Sequence, residues 1–170
     1  RMSGLSEAGK AFNLEPRASI SLGITKWFFL NGGYDQNTQF VHQLTTSNSI
    51  LPSDVWMLAD NQFNPSRASQ LYAGFALGTN NGSLTFSTEV FTKRMRSLIT
   101  LRDRSRDLFS IPTNWRETIA TGGEGEVKGL EAYLKHTGKK FSGWLAYTYS
   151  SSNRRYDEIN EGEWFPYTYD

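Results

Sequence analysis

Apolar and polar side chains alternate along much of this chain, and this two-residue period constrains the fold more than any other feature. Between Leu84 and Val90 the apolar side chains occupy even-numbered positions, while the odd-numbered positions carry Thr, Ser and Glu. A period of two places successive side chains on opposite faces of a β-strand, whereas a helix requires a period of 3.6. The pattern recurs in segments 18–23, 27–35, 71–78, 84–90, 130–135 and 141–150. The sequence therefore predicts an all-β fold with about six strands.

The links between these segments alternate between short and long. Those at 24–26, 79–82 and 137–140 are short enough for hairpin turns, and the second contains the tight-turn pair Asn81-Gly82. The links at 42–67 and 103–124 are much longer, and residues 151–170 look like the start of a third long loop. This order predicts an antiparallel up-and-down meander of three hairpins. Because outer-membrane β-barrels combine short periplasmic turns with long extracellular loops, we predict a partial outer-membrane β-barrel.

The composition excludes several classes of function. The chain has 170 residues and no cysteine, which rules out disulfides, thiolate catalysis and Cys-ligated metals. Its 18 basic and 17 acidic residues leave a net charge of +1, which offers no electrostatic basis for nucleic-acid binding. No apolar run reaches the length of a transmembrane helix, but barrel strands contain alternating polar residues and need no such run.

Five short segments follow one another in an order seen in a known family. They are 13–17, 54–72, 129–131, 143–150 and 160–166. The first resembles a Pro-Arg entry into a strand, and the second resembles a loop that passes Pro65 and Gln70 before an outgoing strand. The others resemble two successive barrel strands and the following loop. Together the segments resemble the β-barrel domain of TonB-dependent outer-membrane receptors of the nutrient-receptor, SusC-like type.

The resemblance implies a function that belongs to a larger molecule. Such receptors bind and import a scarce nutrient across the outer membrane of Gram-negative bacteria, with a plug domain and the TonB complex as partners. About six strands are fewer than the eight of the smallest barrels. Residues 1–170 are therefore predicted to be a barrel-domain fragment without a plug domain, which also fits the lack of a signal peptide at 1–10. Outer-membrane lipid is an expected partner, and the resemblance leaves room for a surface lipoprotein partner. No cofactor is expected.

Tryptophans in the long links are the predicted ligand contacts. Trp56, Trp115 and Trp164 each fall in a different link or in the tail, and Asp60 and Arg116 lie close to two of them. An exposed aromatic ring beside a charged group is suited to ligand capture. The alternative is that each tryptophan packs its own loop down, and this alternative stays open.

Four side chains within the strands are predicted to face the barrel lumen or the plug: Asp35, Glu89, Glu131 and Tyr133. Glu89 and Glu131 also have the chemistry of a glycosidase carboxylate pair. The polar interior of a barrel accounts for them more simply, because such residues contact plug or water there.

No enzymatic site is expected. His42 and His136 lie far apart in sequence, so neither a metal site nor a histidine-based catalytic pair is predicted, and no nucleophile is combined with a base. The basic residues between Lys93 and Arg106 are interpreted as a strand that rises into the outer leaflet, near lipopolysaccharide phosphates, and nucleic acid is not an expected partner.

The alternative function is a soluble β-sheet module that binds a ligand or carbohydrate. Such a module would bury the apolar strand faces inside one domain. A barrel fragment would instead leave those faces exposed.

Overall fold

The computed structural model describes residues 2–5, 11–45, 54–102, 116 and 119–167, with side chains described from residue 13 onward except at 45 and 54. A short 3-10 helix spans Asn160–Gly162. No helix in these ranges is long and apolar enough to span a lipid bilayer. The strands are β1 (Met2–Leu5), β2 (Ala11–Leu14), β3 (Arg17–Gly23), β4 (Phe28–Gln39), β5 (Val41–Thr45), β6 (Asp54–Leu58), β7 (Ser66–Gly78), β8 (Leu84–Leu101), β9 (Ile119–Thr137), β10 (Ser142–Arg155) and β11 (Phe165–Pro166).

Seven of these strands form one antiparallel sheet in the order β11-β10-β9-β8-β7-β4-β3. The pairs β3–β4, β7–β8 and β9–β10 are the three predicted hairpins. The all-β fold and the antiparallel meander are confirmed. The sheet is open, because β3 and β11 are its edges and no described strand joins them. Strands β1–β2 and β5–β6 form two separate two-stranded sheets.

The strands extend beyond the segments in which the alternation is visible. Strands β8 and β9 contain 18 and 19 residues. The link at 42–67 contains the hairpin β5–β6, and the tail continues β10 to Arg155 before β11 pairs with it. These parts lie beyond the apolar band of the sheet. The two-residue period is absent from these parts, because residues 150–155 of β10 are polar on both faces and residues 55–58 of β6 are apolar on both faces.

Cross-strand register gathers the apolar positions of neighbouring strands onto one side of the sheet. Leu30, for example, lies between Leu22 of β3 and Phe75 of β7. We call this side the apolar face. Its members are Ala18, Ile20, Leu22, Phe28, Leu30, Tyr34, Leu71, Ala73, Phe75, Leu77, Phe86, Val90, Leu130, Ala132, Leu134, Leu145, Tyr147 and Tyr149.

The apolar face has no cover among the described residues. Leu145, Tyr147 and Tyr149 of β10 remain between 60% and 67% exposed. Among the described residues, no second layer packs on this face of the seven-stranded sheet.

The opposite side, which we call the polar face, combines polar side chains with aromatic rings packed over glycines. Tyr72 lies directly across from Gly33, and Phe91 lies directly across from Gly129. A Cβ atom at either glycine would lie 2.5 Å from the facing ring. The ring therefore covers the space that the missing side chain leaves, a pairing known to stabilise strand glycines.

The buried core lies at the long-loop end of the sheet. Leu44, Met57, Phe63 and Ile119 form it, and Ile99 and Leu101 pack against it. These residues come from the β5–β6 hairpin, from the turn between β6 and β7, and from the ends of β8 and β9 that lie at the long loops. The core thus fastens the loop hairpin to the sheet, while the apolar face takes no part in it.

Candidate functional site

A tight turn after β6 holds one of the predicted ligand residues. The Asp60 carboxylate accepts hydrogen bonds from the backbone N–H groups of Gln62 and Phe63, at 2.8 and 2.9 Å. The backbone N–H of Asp60 donates to the Phe63 carbonyl at 3.0 Å. A short acidic side chain favours such turns because it can bind the backbone two or three residues ahead.

Arg116 binds this turn from the link between β8 and β9. Its Nη1 atom lies 2.8 Å from Oδ2 of Asp60 and 3.3 Å from Oε1 of Gln62, and its guanidinium lies 5.4 Å from the centre of the Phe63 ring. Asp60 and Arg116 are therefore brought together, as a clamp between two loops. Their role in ligand binding stays a prediction, and a ligand would have to share these groups with the clamp.

The environment of Asp60 favours its charged form. Burial alone would raise the pKa of Asp60, but the hydrogen bonds from Phe63, Arg116 and Gln62 outweigh burial and lower this pKa below its ordinary value of 3.8. The stabilisation from the clamp is present above that value and is lost as the pH falls through the lower, folded-state pKa.

Replacing Asp60 by alanine should loosen the clamp. The substitution removes an acceptor of two backbone N–H groups and the partner of Arg116, so we expect a local loss of about 1 kcal/mol and about fivefold faster amide exchange at 59–65. Hydrogen–deuterium exchange measures this. Asn61→Ala is the control, because Asn61 lies in the same exposed turn and its loss leaves the Asp60 carboxylate and its described partners in place. Equal exchange rates in both variants would show that the Asp60 carboxylate does not hold the turn.

The predicted tryptophans differ in their surroundings. Trp56 is 62% exposed on β6, next to the buried Met57, and so presents a large apolar ring to solvent. Trp164 is 43% exposed, and the Arg155 guanidinium lies 5.2 Å from the centre of its ring. No ring contact joins Trp56 to Trp164 in the part of the chain described. Trp115 lies outside the described residues.

The tail forms a cavity that the sequence did not reveal. Tyr156 is buried and stacks on Phe165, with ring centres 6.3 Å apart, and it covers Gly123, where a Cβ atom would overlap the ring. Arg102 Nε lies 2.7 Å from Oε2 of Glu158 and ties the tail to the end of β8. The space that these residues line is open to solvent on one side and has a volume of about 340 Å³, the lower end of the range for small-molecule sites. In the sequence, the aromatic residues within 156–167 are the one feature that could have indicated this cavity. The pairing of the tail with β10 is a tertiary contact and leaves no local pattern.

His42 lies next to the core on β5. It is 4% exposed, its Nε2 atom is 3.2 Å from the carbonyl oxygen of Asn64, and its Nδ1 atom is 3.5 Å from the Ser66 hydroxyl. Burial lowers the pKa of His42 below 6.5, and the contact with Asn64 offsets this only in part. His42 is thus a structural residue of the loop hairpin, far from His136.

The β5–β6 hairpin should become less stable in mild acid. Because the folded state disfavours protonated His42, stability is full above about pH 6.5 and declines as the pH falls below it, where the unfolded state takes up a proton first. Hydrogen–deuterium exchange of 41–45 and 54–58 at pH 7.5 and 5.0, corrected for intrinsic rates, measures this change. His42→Gln should abolish the difference, and a difference that persists would assign it to other groups.

The four side chains predicted to face the lumen all lie on the polar face. Glu89 and Glu131 stand directly across from each other on β8 and β9. The ring of Tyr133 stacks on Trp144, with centres 6.3 Å apart. Asp35 accepts a hydrogen bond of 2.8 Å from the side-chain amide of Asn37. These four side chains lie on one side of the sheet but do not meet at a single point. They could therefore line a polar surface, and they do not form one compact binding site.

The described residues include no cluster of three or more His, Asp or Glu side chains that could hold a metal ion. No family model, curated protein or solved structure matches the chain. The features that bear on function are therefore the two faces of the sheet and its loop end.

Proposed function

We propose that the seven-stranded sheet is a section of the wall of an outer-membrane β-barrel, with the apolar face toward lipid and the polar face toward the barrel interior. The observation that carries this proposal is the apolar face, which no described residue covers and which is continuous across six neighbouring strands. In water such a face would drive association. In a bilayer it is the surface that lipid chains require.

The dimensions of the apolar face support this orientation. In β4 the face runs from Phe28 to Tyr34 and in β7 from Leu71 to Leu77, which is about 20 Å along each strand. With one or two flanking residues at each end, a strand reaches the roughly nine to eleven residues that cross a tilted barrel wall.

Aromatic residues border the face at both ends. Phe28, Phe75 and Phe86 form a ladder near the short turns, with ring centres 6.1 and 6.2 Å apart. Tyr34 and Tyr149 lie toward the long-loop end. Barrels carry such aromatic girdles at the two membrane interfaces. The short turns would then be periplasmic, and the β5–β6 hairpin and the Asp60–Arg116 clamp would be extracellular.

At a finer level, we propose that the wall belongs to a TonB-dependent receptor that binds and imports a scarce nutrient. The ordered sequence segments support this assignment. Asp35, Glu89, Glu131 and Tyr133 would contact lumen water or a plug domain, and Trp56 and Trp164 would contact incoming ligand. Transport would need the plug, the TonB complex and further strands at the open edges β3 and β11, so this part is a wall and not an enzyme.

The alternative of a soluble binding module has less support. Such a module would bury Leu145, Tyr147 and Tyr149, and the described residues contain no second layer to cover them. It also predicts a monodisperse chain without detergent, which size-exclusion chromatography can check.

Two labelled variants test the orientation of the sheet. The chain lacks cysteine, so Leu145→Cys and Ala146→Cys each allow one environment-sensitive fluorophore, on opposite faces of β10. In phosphatidylcholine vesicles, brominated acyl chains should quench the label at Leu145→Cys, while aqueous iodide should reach only the label at Ala146→Cys. Equal access of iodide to both labels would contradict the proposal.

A further inference from the structure

Three arginines form a cleft at the border of the apolar face that lies toward the long loops. Arg67 of β7 stands directly across from Arg96 of β8, and Arg94 lies two residues before Arg96. Because side chains two residues apart share a face, Arg67 continues the row of Leu71, and Arg94 and Arg96 continue that of Val90. The cleft has a volume of about 620 Å³, and its lining includes the three arginines and Tyr34. We call it the arginine cleft.

The described residues compensate this positive charge poorly. Like charges directly across a strand pair destabilise a sheet. Arg67 donates to the neutral side chain of Asn13, and no described carboxylate forms an ion pair with Arg96. Arg94 lies 3.9 Å from Glu126, a carboxylate that also binds Lys128 at 3.0 Å. An anion bound between Arg67 and Arg96 would remove their repulsion.

The position of the cleft specifies what kind of anion fits. Planar guanidinium groups bind phosphate through paired, charge-assisted hydrogen bonds. The cleft opens on the same side of the sheet as Tyr34 and Leu71. These two residues are the first of the apolar face on the short-turn side of the cleft. A ligand with a phosphate headgroup and acyl chains would satisfy both surfaces at once, whereas free phosphate would use only the arginines.

We propose that the arginine cleft binds a phosphate monoester on an outer-leaflet lipid, whose acyl chains lie along the apolar face below. This proposal rests on the proposed function, because it requires the apolar face to be in lipid and the long-loop end to be outside. The bound phosphate bridges Arg67 and Arg96, and Arg94 adds a third guanidinium.

Binding of diphosphoryl lipid A to the protein in detergent micelles, measured by native mass spectrometry, tests the site. The variant R67Q/R94Q/R96Q should bind at least about tenfold more weakly, since each glutamine removes a charged donor. The control K135Q/K139Q/K140Q removes the same charge at the short-turn end and should stay within about twofold of the unmodified protein. Dephosphorylated lipid A should bind as weakly as the first variant does to the intact lipid. Millimolar inorganic phosphate should not displace the lipid.

Three results would overturn the site. They are equal affinity of the two triple variants, equal binding of the dephosphorylated lipid, and displacement of the lipid by inorganic phosphate. If the triple variant does not fold, R96Q alone still tests the site. Arg96 has no partner among the described residues, so its replacement should not disturb the fold. It should weaken binding about three- to tenfold.

The label at Leu145→Cys separates this proposal from the proposed function. If that label is shielded from iodide and lipid A binding is unaffected by R96Q, the arginine cleft is wrong and the wall assignment stands. If iodide reaches the label freely in vesicles, the wall assignment itself fails, whatever the result with lipid A.

Discussion

Replacing Tyr147 by arginine should lower the free energy of unfolding in a bilayer by about 2–4 kcal/mol, the cost of a charge on the lipid side of a barrel near the midplane. Tyr147 stands across from Ala132, in the middle of the apolar face. Its side chain is 60% exposed, so the loss cannot come from crowding within the protein. Urea unfolding from phospholipid vesicles, followed by tryptophan fluorescence, measures the change.

The neighbouring position supplies the control for this prediction. Thr148 is also exposed but lies on the polar face, directly across from Glu131. Thr148→Arg places the same charge on the same strand next to a carboxylate, so we expect a change of less than about 1 kcal/mol. If both variants unfold alike, the two faces of the sheet meet the same solvent, and the lipid-facing assignment is wrong.

Replacing Gly74 by alanine should cost about 2 kcal/mol, because β7 and β8 approach closely at this position. A Cβ atom at Gly74 would overlap the carbonyl oxygen of Thr88 and lie 2.9 Å from the Cα of Glu89. Backbone atoms cannot rotate away as a side chain can, so the two strands would have to separate. Urea unfolding of the protein in detergent measures the loss.

Gly78 of the same strand is the matched control. A Cβ atom there would lie 3.9 Å from its nearest neighbour, the carbonyl oxygen of Leu84, which is an ordinary contact distance. Gly78→Ala should therefore be neutral or slightly stabilising, since alanine loses less conformational entropy than glycine. If both variants lose the same free energy of unfolding, the loss comes from replacing any strand glycine and not from the close approach of β7 and β8.

The architecture of the sheet was largely predictable, because its signals are local. Alternation between Leu84 and Val90 reflects the geometry of a single strand, and Asn81-Gly82 marks a turn between adjacent strands. The three hairpins followed from these signals. The β5–β6 hairpin and the first part of β9 escaped prediction, because residues 55–58 are apolar on both faces and residues 121–126 include three glycines, so neither segment has a two-residue apolar period.

The contacts at the loop end could not be predicted, because they join distant parts of the chain. Asp60 and Arg116 were selected as separate ligand contacts, and only the folded chain places them 2.8 Å apart. Arg67 was not selected at all, and Arg94 and Arg96 were interpreted as part of a basic stretch. The cleft arises from the register of β7 on β8, which sets Arg67 across from Arg96.

The sequence by itself determined that this chain forms an antiparallel meander with one apolar and one polar side, because side-chain alternation acts within each strand. Only the tertiary structure decided that the apolar sides of six strands align into one face that the rest of the described chain leaves open, with the arginine cleft at its border. Register is a property of a pair of strands, and whether a second layer packs on a face is a property of the whole fold. They depend on hydrogen bonds and packing between segments that are far apart in sequence.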